Sequence, residues 1–336
     1  MATRLIGLSA LALTVAAQAV PQILVYTKAA GYYHESIPTA SDAIRQIGSR
    51  TGLFNATVSD DETLFTRDGL SPFSLIAFLS NSDQVLTDDG ETALTDWLST
   101  TGGSLVGLHA GSACLFEDQA FGTALGSWFD YHPDLQNVTF TKLVDHPTVA
   151  MFPDRYTYLE EAHHFRSDPR AVNCTVLLSF DESLIDDPRA GTRPYYQGSP
   201  PPIAWYREGQ SVDLTNGTGG ASAPRMTGRT FMTSLGHTTE FWQDDLNLQH
   251  IEAGLRWALQ DFASSNSSTS SPSSESPAST TPSTAGSAST ASTASTSTPA
   301  SASASPSSTS GAVGVSFGPA RTPLLLLALV TLCCLV

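Results

Sequence analysis

The stretch that most constrains this chain is Gly102-Gly103-Ser104-Leu105-Val106-Gly107-Leu108-His109-Ala110-Gly111. Ser104 to Leu108 is a short apolar run behind a glycine pair. That is the pattern of a strand inside a parallel sheet, covered on both faces. Gly107 to Gly111 then has the Gly-x-Nuc-x-Gly spacing of a nucleophile elbow. There a strand turns sharply, and the flanking glycines let other backbone approach the central residue. Hydrolases place Ser or Cys at the centre of such an elbow, and this chain places His109 there. An elbow is a strained position, so a histidine held in one is the first candidate for chemistry.

Strand and helix patterns alternate around this stretch. Residues 22–27, 54–58 and 75–79 read as strands. A helix capped by Thr39 or Ser41 carries Ala43, Ile44 and Ile47 on its apolar stripe and ends at Gly52. A second helix starts near Thr87, with Asp88, Asp89 and Glu91 in its first turns, where the helix dipole favours acids. Another is expected over 118–125, after the elbow. The alternation predicts βαβ units and a parallel, doubly wound sheet with helices on both faces. Such sheets bind ligands outside the carboxyl ends of their strands. That rule places His34, after the first strand, and His109 on one rim. The second half is less regular. Strands are expected at 137–144, 174–180, 203–206 and 229–235, the last ending in Gly236-His237. An amphipathic helix over 245–262 closes the domain, with Leu248, Ile251, Leu255, Ala258 and Leu259 on its stripe.

Both ends of the chain read as processing or linking segments. Residues 1–19 have the form of a secretory signal, with Arg4, an apolar core over 5–17 and a small-x-small site at Ala17-Gln18-Ala19. The core is short for a membrane span, which takes about 20 apolar residues. Residues 263–312 are almost entirely Ser, Thr, Ala and Pro, with Glu275 as the charge. That composition cannot bury enough apolar surface to offset chain entropy, and it reads as a disordered, O-glycosylated stalk. Residues 313–336 combine a spacer with a Leu-rich tail after Ser310-Gly311-Ala312, the form of a GPI-anchor signal that is removed, with Ser310 as attachment residue. The folded domain is thus expected at 20–262. Sequons at Asn55, Asn137, Asn173, Asn216 and Asn266 suit a secreted glycoprotein. The expected location is the outer face of the plasma membrane or the cell wall, with the membrane reached only through the anchor.

A net charge of −16 argues against nucleic acid and anionic membrane as partners, since both call for a basic patch. Outside the tail there are two cysteines, Cys114 and Cys174. They either pair in an oxidising compartment or remain buried thiols. Of the eight histidines, His34, His109, His132 and His237 follow strands or turns. Catalytic zinc takes three protein ligands and an open position. His34, His109 and His237 are the candidate ligands of a divalent metal (Zn or Mn), with Glu161 as a further ligand or base. There is no His-Glu-x-x-His or Cys-x-x-Cys spacing to support them, and histidines hydrogen-bonded in polar loops are the plain alternative. His163 and His164 are adjacent, so in an extended chain at most one faces a site. Trp128, Phe129 and Tyr131 are candidates to stack on a sugar face, and His132 and His164 to bind the same substrate. Trp205 and Trp242 read as core.

The chain resembles the ThuA-like (trehalose utilisation) family. The likeness rests on Gly107-Leu-His-Ala-Gly111, Gly126 to His132-Pro133, Glu160-Glu161, Pro202-Ile-Ala-Trp-Tyr206, and Gly228 to His237 with Trp257-Ala258 in the closing helix. The resemblance implies a flavodoxin-like, mostly parallel sheet of the class I glutamine amidotransferase type. In that superfamily the elbow carries cysteine. His109 stands in its place here, so glutamine amidotransferase chemistry is not expected, and neither is a nucleotide cofactor. The family match also implies that Glu161 faces inward. Two functions follow as expectations. One is a surface-anchored, hydrolase-like enzyme on a small carbohydrate or derivative, with His109 and Glu161 catalytic. The other is a non-catalytic module that binds a cell-wall glycan.

Overall fold

The computed structural model describes residues 19–209, 211–212 and 225–260. Residues 1–18 of the expected leader, the stalk, the anchor signal with Ser310, and the sequons at Asn216 and Asn266 lie outside the described residues. No helix among the described residues is long and apolar enough to cross a membrane. Asn55, Asn137 and Asn173 are exposed.

The first half of the chain alternates as expected. β1 (Gln22–Tyr26) leads to α1 (Ile37–Thr51), then β2 (Asn55–Ser59), a short α2 (Arg67–Leu70) and β3 (Leu75–Leu79). α3 (Asp88–Thr101) precedes β4 (Ser104–Leu108), and α4 (Gln119–Leu125) follows. α1 begins earlier than the sequence suggested. Pro38 sits in its first turn and Ser36, not Thr39 or Ser41, is the N-cap. Proline fits there because the first-turn N–H groups have no helical partner to lose. The Ser36 hydroxyl leaves the helix uncapped and donates to Gly236 O at 3.4 Å. α3 and α4 are capped by side chains, Thr87 accepting from Gly90 N and Asp118 from Ala120 N and Phe121 N.

The second half supplies β5 (Phe129–Tyr131), β6 (Gln136–Lys142), β7 (Arg155–Glu160), β8 (His164–Phe165), β9 (Thr175–Phe180) and β10 (Pro202–Arg207). The short β11 (Ser211–Val212) and β12 (Arg225–Met226) pair with each other. β13 (Thr230–Thr233) and α5 (Asp245–Ala258) close the domain. One sheet has the order β2-β1-β3-β4-β13-β10-β9-β6-β7. β2, β1, β3, β4 and β13 are parallel neighbours, which is the flavodoxin-like arrangement. Beyond β13, antiparallel pairings turn β10 and β6 the other way; the remaining seven strands share one direction.

Burial on both faces explains the apolar runs. On β1, Ile23 and Val25 pack with α1 and α5, while Leu24 and Tyr26 pack with α3 and α4. β3 and β4 alternate in the same way, with Ala77 and Val106 on one face and Phe78 and Leu105 on the other. The period of two thus divides each strand between two helix layers. Trp205 and Trp242 are fully buried core residues. Cys114 and Cys174 are both buried and free. Cys114 does not lie on a helix, because the chain leaves β4 through one 3-10 turn (His109–Ser112) before an isolated bridge between Asp83 and Cys114.

Candidate metal centre

The elbow exists in the backbone. His109 follows directly on β4 with φ +52°, a left-handed conformation that costs a non-glycine residue roughly 1–2 kcal/mol. Its flanking glycines are dictated by close approach. A Cβ at Gly107 would collide with Met232 Sδ, and one at Gly111 with the Phe78 carbonyl oxygen. His109 is fully buried, and its Nδ1 lies 2.9 Å from Ser234 O. A carbonyl only accepts, so Nδ1 carries the proton and donates. Nε2 is then a bare lone pair, buried and without a hydrogen-bond partner. This is the tautomer that metal-ligating histidines adopt when a carbonyl orients them.

Three other strand ends bring partners to that lone pair. His34 lies in the loop after β1, 7% exposed, its ring edge-on to His109 at 4.6 Å and to His237 at 5.6 Å. Its Nδ1 is also buried without a partner. His237 follows β13, and its Nδ1 stands 3.2 Å from Glu161 Oε1. Glu161 follows β7, with Oε2 3.7 Å from His109 Nε2. One ligand atom each from His34, His109, Glu161 and His237 lie within 4.8 Å of one another. Three imidazoles and one carboxylate are a donor set for zinc or manganese.

Charge in the cluster is concentrated on Glu161. Burial pushes its carboxyl up, but hydrogen bonds from His163 and His237 outweigh burial and hold it well below the usual carboxylate range. Burial, then the neighbouring His163 and His34, holds His109 well below the ordinary histidine value. Burial and His237 bring His34 down to about 4. His237 is raised, chiefly by its hydrogen bond to Glu161. An ionised Glu161 beside His34 and His109 held toward their neutral forms meets the protonation states that a metal needs at those three groups.

Glu160 and His163 belong to the site, although the sequence singled out their neighbours Glu161 and His164 as the candidates. Glu160 is fully buried and accepts from the backbone N–H groups of Glu161 at 3.0 Å, Gly236 at 2.7 Å and His237 at 3.2 Å. It ties the Glu161 turn to the His237 loop. Burial raises its carboxyl to about 7 against those bonds. His163 Nε2 lies 3.1 Å from Glu161 Oε2.

The expected substrate residues divide. His132 stays at the site's edge, with Nε2 3.3 Å from Glu161 Oε1 and Nδ1 donating to Pro133 O at 2.8 Å. His164 does not. It stacks on Tyr131 at 4.6 Å, its Nδ1 meets Gln197 Nε2 at 2.9 Å, and its Nε2 faces Asp187 at 3.3 Å. Tyr131 turns with it and donates to Asp187 Oδ2 at 2.7 Å. Trp128 packs against Gly122 of α4 and donates to Leu115 O at 3.0 Å, so its ring is held by the helix layer. Phe129, the third stacking candidate, does line the cavity, along with Tyr32, Phe116, His132 and His163. The cavity has a volume of about 540 Å³.

The profile of the ThuA family, described as trehalose utilisation, matches residues 22–258. A putative ThuA-like protein from Bacteroides uniformis has a similar structure, with a TM-score of 0.51 at 17% identity, covering 73% of this chain and 95% of that one. That likeness shows the fold. Another from Parabacteroides merdae aligns with a TM-score of 0.49 at 15% identity, covering 72% and 91%. A glutamine amidotransferase from Thermotoga maritima aligns at 0.37 and 13%, covering 74% and 86%. No curated protein matches the chain. The family match takes in every strand of the large sheet and all four clustered residues, and the chain belongs to the ThuA (trehalose utilisation) family.

Proposed function

We propose that this chain is a metal-dependent, hydrolase-like enzyme acting on a small carbohydrate or derivative. The observation that carries the reading is the pair of buried, unpartnered ring nitrogens, His34 Nδ1 and His109 Nε2, on two of the four residues that cluster with His237 and Glu161. Buried nitrogens with no donor are costly, and a divalent cation satisfies them together. His34, His109 and His237 hold the ion, with Glu161 as the fourth group. When bound, Zn²⁺ or Mn²⁺ polarises a substrate oxygen or acidifies a water. Glu161 and His163 sit 3.1 Å apart, a distance that lets one proton pass between Oε2 and Nε2. His132, at the cavity mouth, links that carboxylate to solvent. The carbohydrate class is supported by the family's description and by the aromatic cavity walls. The leader, stalk and anchor signal of the sequence support a secreted, GPI-anchored location.

A glycan-binding module is the second reading, favoured by Tyr32, which is 64% exposed at the cavity mouth. Calorimetric titration of metal-stripped protein with Zn²⁺ and Mn²⁺ tests the first reading. One site per chain, absent in His109→Ala and His237→Ala, is expected, together with EDTA-sensitive hydrolysis in a panel of sugar derivatives. Metal uptake that is unchanged in both variants would move the site elsewhere. Glycan binding that survives EDTA, without turnover, would favour the module.

A further inference from the structure

Asp83 and Asp134 line the cavity beside the candidate centre, and neither belongs to the metal cluster. With Glu161 they put three carboxylates in the cavity wall, which contains no lysine or arginine. Arg166 stacks on Phe116, 4.0 Å from the ring centroid, but is not itself part of that wall. Glu161 is answered by the histidines around it. Both aspartates are exposed, and among the described residues neither side chain has an ion-pair partner.

Asp83 is fixed in place. It holds a left-handed φ of +60°, its N–H donates to Ala113 O at 2.9 Å and its carbonyl accepts from Leu115 N at 3.1 Å. These two bonds tie it to the segment that leaves the His109 elbow. Gly31, in the loop after β1, leaves room for the carboxylate, since a Cβ there would collide with Asp83 Oδ2. A bound divalent ion does not reverse the sign of the wall. Its two positive charges set against three carboxylates leave the cavity negative. A concave surface of one sign focuses its field and concentrates ligands of the opposite sign. Tyr32, Phe116 and Phe129 add aromatic faces to the same wall, and such faces attract cations.

We propose that the cavity takes a cationic carbohydrate, an amino sugar whose ammonium group is received by Asp83, with Asp134 adding to the attraction. Asp83 is then a specificity-determining residue. An ammonium–carboxylate hydrogen bond is charge-assisted and about twice as strong as a neutral one, so the cation is favoured over a neutral sugar, and an anionic sugar is repelled. This inference rests on the reading of the cavity as a carbohydrate site and names its substrate class. It holds whether the site turns its ligand over or only binds it.

Calorimetry on the full chain with D-glucosamine, D-glucose and D-glucuronate, at about pH 6 where an amine is protonated, tests it. Glucosamine is expected to bind about tenfold tighter than glucose, and glucuronate more weakly than glucose. Asp83→Asn keeps the shape of the side chain and tolerates the left-handed backbone. Tm and metal content should therefore hold in the variant while most of the glucosamine advantage is lost. Added salt should shrink that advantage in the wild type and have little left to act on in Asp83→Asn. Glucose bound as tightly as glucosamine, glucuronate bound tightest, or a preference that survives Asp83→Asn would each overturn the inference and leave the carbohydrate reading standing. No binding of any of the three sugars would overturn both.

Discussion

His109 is held at φ +52° by a turn whose neighbouring glycines touch Met232 and the Phe78 carbonyl. Two substitutions separate backbone from side chain at this point. His109→Ala and His109→Gly both remove the imidazole, but glycine adopts the left-handed region freely. His109→Gly is expected to be about 1 kcal/mol more stable than His109→Ala in chemical denaturation. Equal stability would contradict a strained elbow. Gly111→Ala drives a Cβ into backbone that cannot yield, and a loss of about 3 kcal/mol or more is expected by the same measurement. The elbow was legible in the sequence because paired glycines report backbone geometry directly. The meeting of His34, His109 and His237 was legible because all three follow strand ends of one sheet edge. Glu160 was not, because its partners are the N–H groups of Gly236 and His237, about 76 residues away in the chain.

At the scale of elements, the turn from β7 to β8 decides which side chains reach the cluster. Counting alternate residues from an inward Glu161 gives His163, and the structure places His163 there while His164 stacks on Tyr131. The rule of two was in the sequence; the residue to count from was the missing information. Glu160 clamps this turn to the loop after β13. Glu160→Ala orphans three buried N–H groups, and a loss of about 3 kcal/mol is expected by denaturation. Glu160→Gln keeps one acceptor oxygen but turns an NH2 toward at least one of these N–H groups, so only part of the loss should be restored. His250 of α5 shows the structural use of a histidine. It is fully buried, with Nδ1 donating to Thr148 O at 2.6 Å and Nε2 accepting from Thr233 Oγ1 at 3.0 Å. Burial lowers it to about 4. The unfolded chain, with a histidine value near 6.5, therefore takes up a proton between pH 6.5 and 4 that the fold refuses. Stability falls as pH drops through that window and levels off below it. His250→Gln should flatten the fall by about 3 kcal/mol in unfolding curves taken from pH 7 to 4. A slope unchanged in the variant would show that His250 titrates normally.

For the whole molecule, the doubly wound half followed from apolar runs alternating with helical stripes. The β10-β9-β6-β7 extension was less legible. Its strands β6 and β7 have mixed burial, and antiparallel neighbours distant in sequence leave no βαβ period to read. Yet this extension delivers Glu160, Glu161 and His163, while the parallel half delivers His34, His109 and His237. The candidate centre therefore joins segments from across the chain, and a bound ion would link them. Saturating Zn²⁺, at about 1,000 times its Kd, is expected to add about 4 kcal/mol to folding stability, read as a rise in Tm that EDTA reverses. The most direct test of this account is elemental mass spectrometry of the purified chain beside His109→Ala. About one equivalent of zinc or manganese per chain in the wild type, and none in the variant, is the predicted result. The same metal content in the two proteins, whether one equivalent or none, would contradict it.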